Sequence, residues 1–313
     1  MNLYNSFLTQ FSNYFIQGKQ KHLILHITNH CNFRCAHCFV DFSGKNKDLK
    51  IDDYKKIANN INDLLWLDVG GGEPFLRKDL YEIVNLFKKQ VVAIPTNGFL
   101  TENIIDQVKK IDTSNCELTI NFSLDGLKDT HNKIRKNKES WDKVWYTFEK
   151  LKKFSKVKLR VITVICNENI NEIIPLMKEV QSRGVDFHSV MLLRGETLDE
   201  NIELPDIQTL KLLAKEMFPI LSKYDYGVGG ISSHILRNYH RYMWKVSLET
   251  LEKETQIVPC LAGKSNVVIW GNGDLSSCEM LPSVGNVTNN SVDEILSSEK
   301  FHQQLKSIKN KEC

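Results

Sequence analysis

The sequence predicts an α/β protein: a parallel sheet covered by helices, followed by a small α+β unit. Three observations carry this. Short apolar runs alternate with stretches of helical spacing across residues 21–200, and strands separated by helices pair in parallel because a helix makes the crossover. Glycine and polar residues punctuate the chain where four of the strands end, at 71–73, 96–98, 123–126 and 194–195. After residue 194 the rhythm stops, and long helical stretches lead to a hairpin signal.

The first strand is the β-rich run 22–28 (HLILHIT). Helical spacing over 52–63 leads to an apolar strand at 64–69, which ends in Gly70-Gly71-Gly72. A helix at 79–89 and a strand at 91–95 follow, closed by Thr96-Asn97-Gly98. The next units are helix 102–111 with strand 117–124 (ELTINFSL), helix 141–154 with strand 158–165 (KLRVITVI), and helix 171–183 with strand 186–193. Right-handed crossovers are expected throughout. Six units are too few for a closed eight-stranded barrel, so an open partial barrel or a flat doubly wound sheet fits the rhythm. Either way the chemistry belongs at the C-terminal strand ends. Four punctuated ends suit a shared ligand better than four unrelated turns. Beyond them, 205–223 and 234–252 read as bridging helices. Residues 266–270 and 274–279 flank Gly271-Asn272-Gly273 as a hairpin, and a capped helix runs from Ser291 with Glu294 three residues on.

The chain has 313 residues, 42% hydrophobic and 25% charged, enough for a sizeable core. The expected organisation is a lead-in at 1–20, the main α/β domain at 21–200, a helical bridge at 201–255 and a small unit at 256–313. A net charge of +3 is too small to suggest nucleic acid or an anionic membrane as partner. Residues 1–15 lack the basic and apolar regions of a secretory signal, and no apolar run reaches bilayer length. The expected location is cytoplasmic, where eight cysteines read as metal or redox chemistry before disulfides.

Three cysteines crowd the loop after the first strand: Cys31-Asn32-Phe33-Arg34-Cys35-Ala36-His37-Cys38. Thiolates suit zinc or iron–sulfur clusters. Three in one tight loop can each reach a different iron of a cubane and leave the fourth iron open. Zinc, with His30 or His37 as fourth ligand, is the competing reading, although the paired halves usual for zinc are missing nearby.

The C-x3-C-x2-C spacing, with His37 before the last cysteine, resembles the signature of the radical SAM superfamily. The resemblance implies a partial (β/α)6 TIM-like barrel. It also implies a [4Fe–4S] cluster on Cys31, Cys35 and Cys38 whose open iron chelates S-adenosylmethionine, with one-electron cleavage to a 5′-deoxyadenosyl radical. Gly71-Gly72-Glu73-Pro74 is similar to the family's GGEP motif, which contacts the amino group of S-adenosylmethionine. Thr96 and Asn97 resemble the next strand-end contacts. Ser123 and Asp125 resemble the polar pair at the ribose or carboxylate. Arg160 is expected at the carboxylate and Met191 at the adenine, though a surface cation and a core methionine are the alternatives. His131 and Arg135, a stretch common in related enzymes, suit either a site role or a helix-entry salt bridge.

Twelve residues separate Cys260 from Gly273 and four separate Gly273 from Cys278. This resembles the auxiliary-cluster extension called SPASM or twitch, which implies a second [4Fe–4S] cluster on Cys260, Cys278 and Cys313. The short form expects a further cysteine beyond Cys313, so the chain is truncated, or the cluster has three cysteine ligands, or no cluster assembles there. Cys116 and Cys166 read as small buried hydrophobes.

The expected reaction is oxidation of a substrate radical, by dehydrogenation or cross-linking, with the auxiliary cluster as electron acceptor. Epimerisation stays open, with Cys166 as the hydrogen donor it would need. About twenty residues precede the first strand, too few for a leader-binding domain, which favours a small-molecule substrate over a peptide. A flavodoxin or ferredoxin is the expected electron donor. The alternative of another class is a non-catalytic iron–sulfur or zinc module.

Overall fold

The computed structural model describes residues 21–40, 47–61, 63–224, 226 and 230–312. The expected lead-in at 1–20 and Cys313 lie outside the described residues.

Six parallel strands form the main sheet: β1 (His22–Thr28), β2 (Leu64–Gly71), β3 (Lys89–Thr96), β4 (Glu117–Ser123), β5 (Val157–Ile165) and β6 (Phe187–Leu192). They stand side by side in chain order. This order separates the two architectures that the rhythm left open. A doubly wound sheet reverses its strand order and so places helices on both faces. Here each strand joins the same advancing edge, so right-handed crossovers bring all the helices to one face and leave the other as a barrel interior.

The intervening helices are α1 (Ile51–Asn60), α2 (Leu80–Leu86), α3 (Thr101–Lys110), α4 (Lys128–Arg135), α5 (Ser140–Leu151) and α6 (Ile173–Ser182). One set of alternating strand residues packs beneath them: Leu23, Leu25 and Ile27, then Leu67, Val92, Ile94, Ile120 and Phe122. The opposite face is much more polar. On it His22 pairs with Asp68 at 2.7 Å and Arg160 with Glu117 at 3.3 Å.

Two elements depart from expectation. Helix α2 stops at Leu86, and Lys89 begins β3 rather than ending the helix. The Lys89 Nζ donates to the Val84 carbonyl in the last turn of that helix. Helix α4 was not expected at all. Its buried stripe is His131, Ile134 and Arg135, an i, i+3, i+4 face made mostly of polar residues, which apolar periodicity does not register.

The long helices α7 (Ile207–Leu221) and α8 (Gly230–Lys253) form the bridge. Their Leu213, Met217, Trp244 and Leu248 share a second core with Ile165, Met177 and Phe187. Among the described residues no helix is long and apolar enough to cross a membrane.

The C-terminal hairpin forms as expected, from β7 (Asn266–Ile269) and β8 (Asp274–Ser276), with the short β9 (Gly285–Asn286) beside it. Gly273 turns the hairpin at φ +89°, where a Cβ would also stand 2.9 Å from Asn286 Oδ1. Helix α9 (Val292–Leu296) carries the Ser291/Glu294 capping box, and α10 (Glu299–Lys309) follows. The hairpin is not a detached unit. Strand β7 pairs in parallel with β1, so among the described residues one sheet of nine strands runs from β6 to β9.

Candidate functional site

The site grows from the C-terminal ends of β1 to β4. Where β1 ends, Thr28 and His30 accept backbone hydrogen bonds from Gly72 at 2.8 Å and Glu73 at 2.9 Å. A Cβ on Gly71 would lie 2.2 Å from the Thr28 oxygen, and one on Gly72 2.2 Å from the His30 oxygen. Both glycines are therefore required for the β2 end to lie flush against the segment that leads into Cys31.

Glu73 is 1% exposed. Its carboxylate accepts from Thr96 Oγ1 at 2.9 Å, the Asn97 amide at 2.8 Å and the Phe75 amide at 3.2 Å. It staples β2 to β3 and keeps lone-pair capacity on Oε2. Asn97 extends the link to the cysteine loop, donating Nδ2–H to Asn32 Oδ1 at 2.8 Å. Burial pushes the Glu73 carboxyl up to about 7, against the pull of these donors. The native state thus binds a proton that the unfolded chain has lost between the ordinary carboxyl value and about pH 7. In the cofactor-free protein this contribution is fully present below the ordinary value and lost as pH rises through 7. Glu73→Gln is expected to flatten that slope in denaturant titrations at stepped pH. It should also lower stability at every pH, because an amide nitrogen at Oε2 would face the Asn97 N–H.

The loop itself is pinned to α4 by a hydrogen bond from the Ala36 amide to the Ile134 carbonyl at 2.8 Å. Cys35 is buried, and Cys31 and Cys38 are half-buried. Burial pushes the Cys31 thiol up to about 12 and raises Cys35 and Cys38 as well. Ionising them calls for a cation, so metal binding would release protons. Beneath the loop, Arg135 Nη2 meets Asp125 Oδ2 at 2.6 Å and Nη1 donates to Cys35 Sγ at 3.5 Å. Burial works against the Asp125 charge, but Arg135, His37, His131 and the Val164 amide together outweigh it, and the carboxyl lies below its usual range. His37 Nε2 is 3.6 Å from the same carboxylate. Burial lowers the His37 pKa to about 4, so its ring is neutral near pH 7.

At the far end, Cys278 is half-buried just after β8 and Cys260 is exposed just before β7. Burial raises the Cys278 thiol, and Cys260 is close enough to raise it further.

Residues 25–180 match the family model for the radical SAM superfamily, and residues 260–313 match that for an iron–sulfur cluster-binding domain, SPASM. The chain belongs to the radical SAM superfamily. It is 29% identical over 267 residues to GTP 3′,8-cyclase of Campylobacter jejuni, covering 78% of this chain and 81% of that protein. It is 23% identical over 306 residues to AlbA of Bacillus subtilis, a subtilosin biosynthesis protein, covering 90% of this chain and 60% of that one. The fold is similar to Streptococcus suis SuiB bound to its precursor peptide SuiA, with a TM-score of 0.69 at 18% identity over 96% of this chain and 69% of that one. It is also similar to anSMEcpe with bound AdoMet, with a TM-score of 0.66 at 18% identity over 93% and 84%.

A radical SAM domain followed by a SPASM domain implies S-adenosylmethionine, a [4Fe–4S] cluster and auxiliary iron–sulfur clusters. The site in this radical SAM protein fits such groups. Next to the three thiols, His37 Nδ1 and Arg135 Nε are buried without a hydrogen-bond partner among the described residues, an arrangement costly unless a ligand or water completes it. Among the described residues no three Cys, His, Asp or Glu side chains converge as around a single ion. A cubane instead asks each thiolate to reach a different iron.

The structure brings together most, but not all, of the residues expected at the radical SAM site. Cys31, Cys35, Cys38, His37, Gly71, Gly72, Glu73, Pro74, Thr96, Asn97 and Asp125 form one connected patch. Ser123 closes β4 beside it, and Met191 lies half-buried on β6 opposite Val164. Arg160 is not gathered there: it sits in the first half of β5 and pairs with Glu117, the first residue of β4.

Sequence reasoning left Arg135 undecided and passed over Glu279. The Glu279 carboxylate bonds His26 Nε2 at 3.0 Å and meets Arg194 Nη2 at 2.7 Å, while Trp270 stacks on His26 at 4.3 Å. It thereby ties the Cys278 loop to the barrel interior and to the β6 end. The one signal in the sequence was its position next to Cys278.

Proposed function

We propose that this radical SAM enzyme holds its [4Fe–4S] cluster on Cys31, Cys35 and Cys38 and its S-adenosylmethionine along the ends of β2 to β4. The observation that carries this is the fit of three thiols in one short loop, locked by the Gly72–Thr28, Glu73–His30 and Asn97–Asn32 hydrogen bonds to the mouth of a parallel barrel. When bound, the cluster and S-adenosylmethionine supply one-electron cleavage to a 5′-deoxyadenosyl radical, which takes a hydrogen atom from the substrate. The chain's own part is to bind and orient. Glu73 Oε2 and the glycine-lined backbone would receive the amino group, and Ser123 the ribose or carboxylate. A flavodoxin or ferredoxin would supply the electron.

In this reading Cys260 and Cys278, with Cys313 beyond the described residues, hold one auxiliary cluster that accepts an electron from the substrate radical, and the net reaction is an oxidation. The Glu279 carboxylate, held by His26 and Arg194 between the barrel interior and the β6 end, favours a polar small molecule. A peptide is the second reading, favoured by the similarity to AlbA along nine-tenths of the chain.

Anaerobic reconstitution with dithionite and S-adenosylmethionine tests the first step. The enzyme should release 5′-deoxyadenosine without substrate, and its absence from a fully iron-loaded protein would sink the proposal. Cys278→Ala should keep most of this uncoupled cleavage, lose about four irons from a total of about eight and stop substrate turnover. Undiminished turnover would remove the auxiliary role.

A further inference from the structure

The ion pair beneath the cysteine loop is more than a means of holding α4 in place. Arg135 and Asp125 retain 10% and 1% side-chain exposure. A pair buried this far is a weak source of stability, since desolvation offsets the attraction and apolar residues of like volume often serve as well. What apolar residues cannot supply is a directed donor. One edge of the Arg135 guanidinium meets Asp125 and another donates Nη1–H to Cys35 Sγ.

Asp125 is itself fixed from three sides. Its Oδ1 accepts from the Val164 amide at 2.9 Å, its amide donates to His131 Nδ1 at 3.0 Å, and its carbonyl accepts from Asn169 Nδ2 at 3.2 Å. His131 Nε2 is anchored in turn by Ser140 Oγ at 2.8 Å. The direction in which Arg135 points is therefore set by β4, β5 and the start of α5, not by the mobile end of a long side chain.

We propose that Arg135 is a positioning residue that raises the reduction potential of the cluster at Cys31, Cys35 and Cys38, through a hydrogen bond to the Cys35 sulfur that Asp125 holds in line. This rests on the reading of Cys35 as a cluster ligand. A donor to a ligating sulfur withdraws electron density from the iron–thiolate bond and favours the reduced state. The Asp125 carboxylate cancels much of the through-space charge of the guanidinium, so the directional hydrogen bond is the part that remains.

Two variants of the full chain test this: Arg135→Lys, whose single ammonium cannot span both partners, and the double variant Arg135→Gln/Asp125→Asn, which leaves no buried charge unpaired. The readout is the ratio of reduced to oxidised cluster at fixed solution potential, followed by electron paramagnetic resonance. The relevant signal is the one that changes when S-adenosylmethionine is added. The ratio is expected to fall at least tenfold in the double variant, equivalent to 59 mV for a one-electron couple, and in the same direction for Arg135→Lys. An unchanged ratio in an iron-loaded variant overturns the proposal. So does a folded variant that no longer retains iron at this site, which would make Arg135 a requirement for assembly instead. If the double variant does not fold, Arg135→Lys decides by the same criterion. Cys35→Ala, run alongside, keeps the two readings apart: full iron retention there refutes the ligand assignment whatever the Arg135 variants do.

Discussion

Cys35→Ala is expected to remove the radical-site cluster and with it all measurable release of 5′-deoxyadenosine. Cys35 is the buried member of the three thiols, at 7% exposure, and the one that Arg135 addresses. Removing it leaves two thiolates of the loop for a cluster that needs three. Cys166 is buried as well, in a small apolar cluster with Ala36, Ile134 and Ile202. Alterations to groups that merely support metal ligands cost about 10–100-fold in affinity or activity, and loss of a ligand should exceed that range. The measurement is iron per chain together with chromatographic quantitation of 5′-deoxyadenosine after anaerobic reconstitution. The protein should lose about four irons and keep its fold, because Ala is smaller than Cys and the loop remains tied at Ala36. Retained cleavage above about one part in 100 of the parent rate would disprove the ligand assignment.

Gly72→Ala is expected to disable the same site without touching a thiol. The added Cβ would stand 2.2 Å from the His30 oxygen and 2.6 Å from its carbonyl carbon, both rigid backbone atoms. Relief requires the β2 end to draw away from β1. That breaks the hydrogen bonds from Gly72 to Thr28 and from Glu73 to His30, each worth about 1 kcal/mol, beyond the overpacking cost of about 1–3 kcal/mol. The unfolding free energy from denaturant titration should fall accordingly, by about 3 kcal/mol or more in total. Cluster loading should fall with them, because the displaced segment leads into Cys31. Gly70→Ala, two residues earlier, is the control. There the nearest atom to a new Cβ is His26 Nδ1 at an ordinary 3.5 Å, so stability should stay within about 1 kcal/mol of the parent. Equal losses in the two variants would mean that close backbone approach is not the reason for glycine at position 72.

Much of this molecule is legible in local pattern. The apolar runs mark all six barrel strands, Gly271-Asn272-Gly273 marks the hairpin, and Ser291 with Glu294 marks a helix start, because each signal lies within a few residues of the structure it specifies. The three thiols of the first loop are equally plain. The role of the glycines is only half legible. Their motif suggested contact with a ligand, and the atoms they approach within the chain are the Thr28 and His30 carbonyls.

The residue string determined which segments become strands and helices and which residues carry soft-ligand chemistry, since periodicity and composition act along the chain. Tertiary structure alone decided that the six strands stand in chain order, that β7 closes against β1, that Glu279 reaches His26 and Arg194, and that His131 and Arg135 are buried. Strand order and pairing depend on contacts between segments far apart in the chain. A polar residue that is satisfied only by distant partners carries the same letter as one facing water.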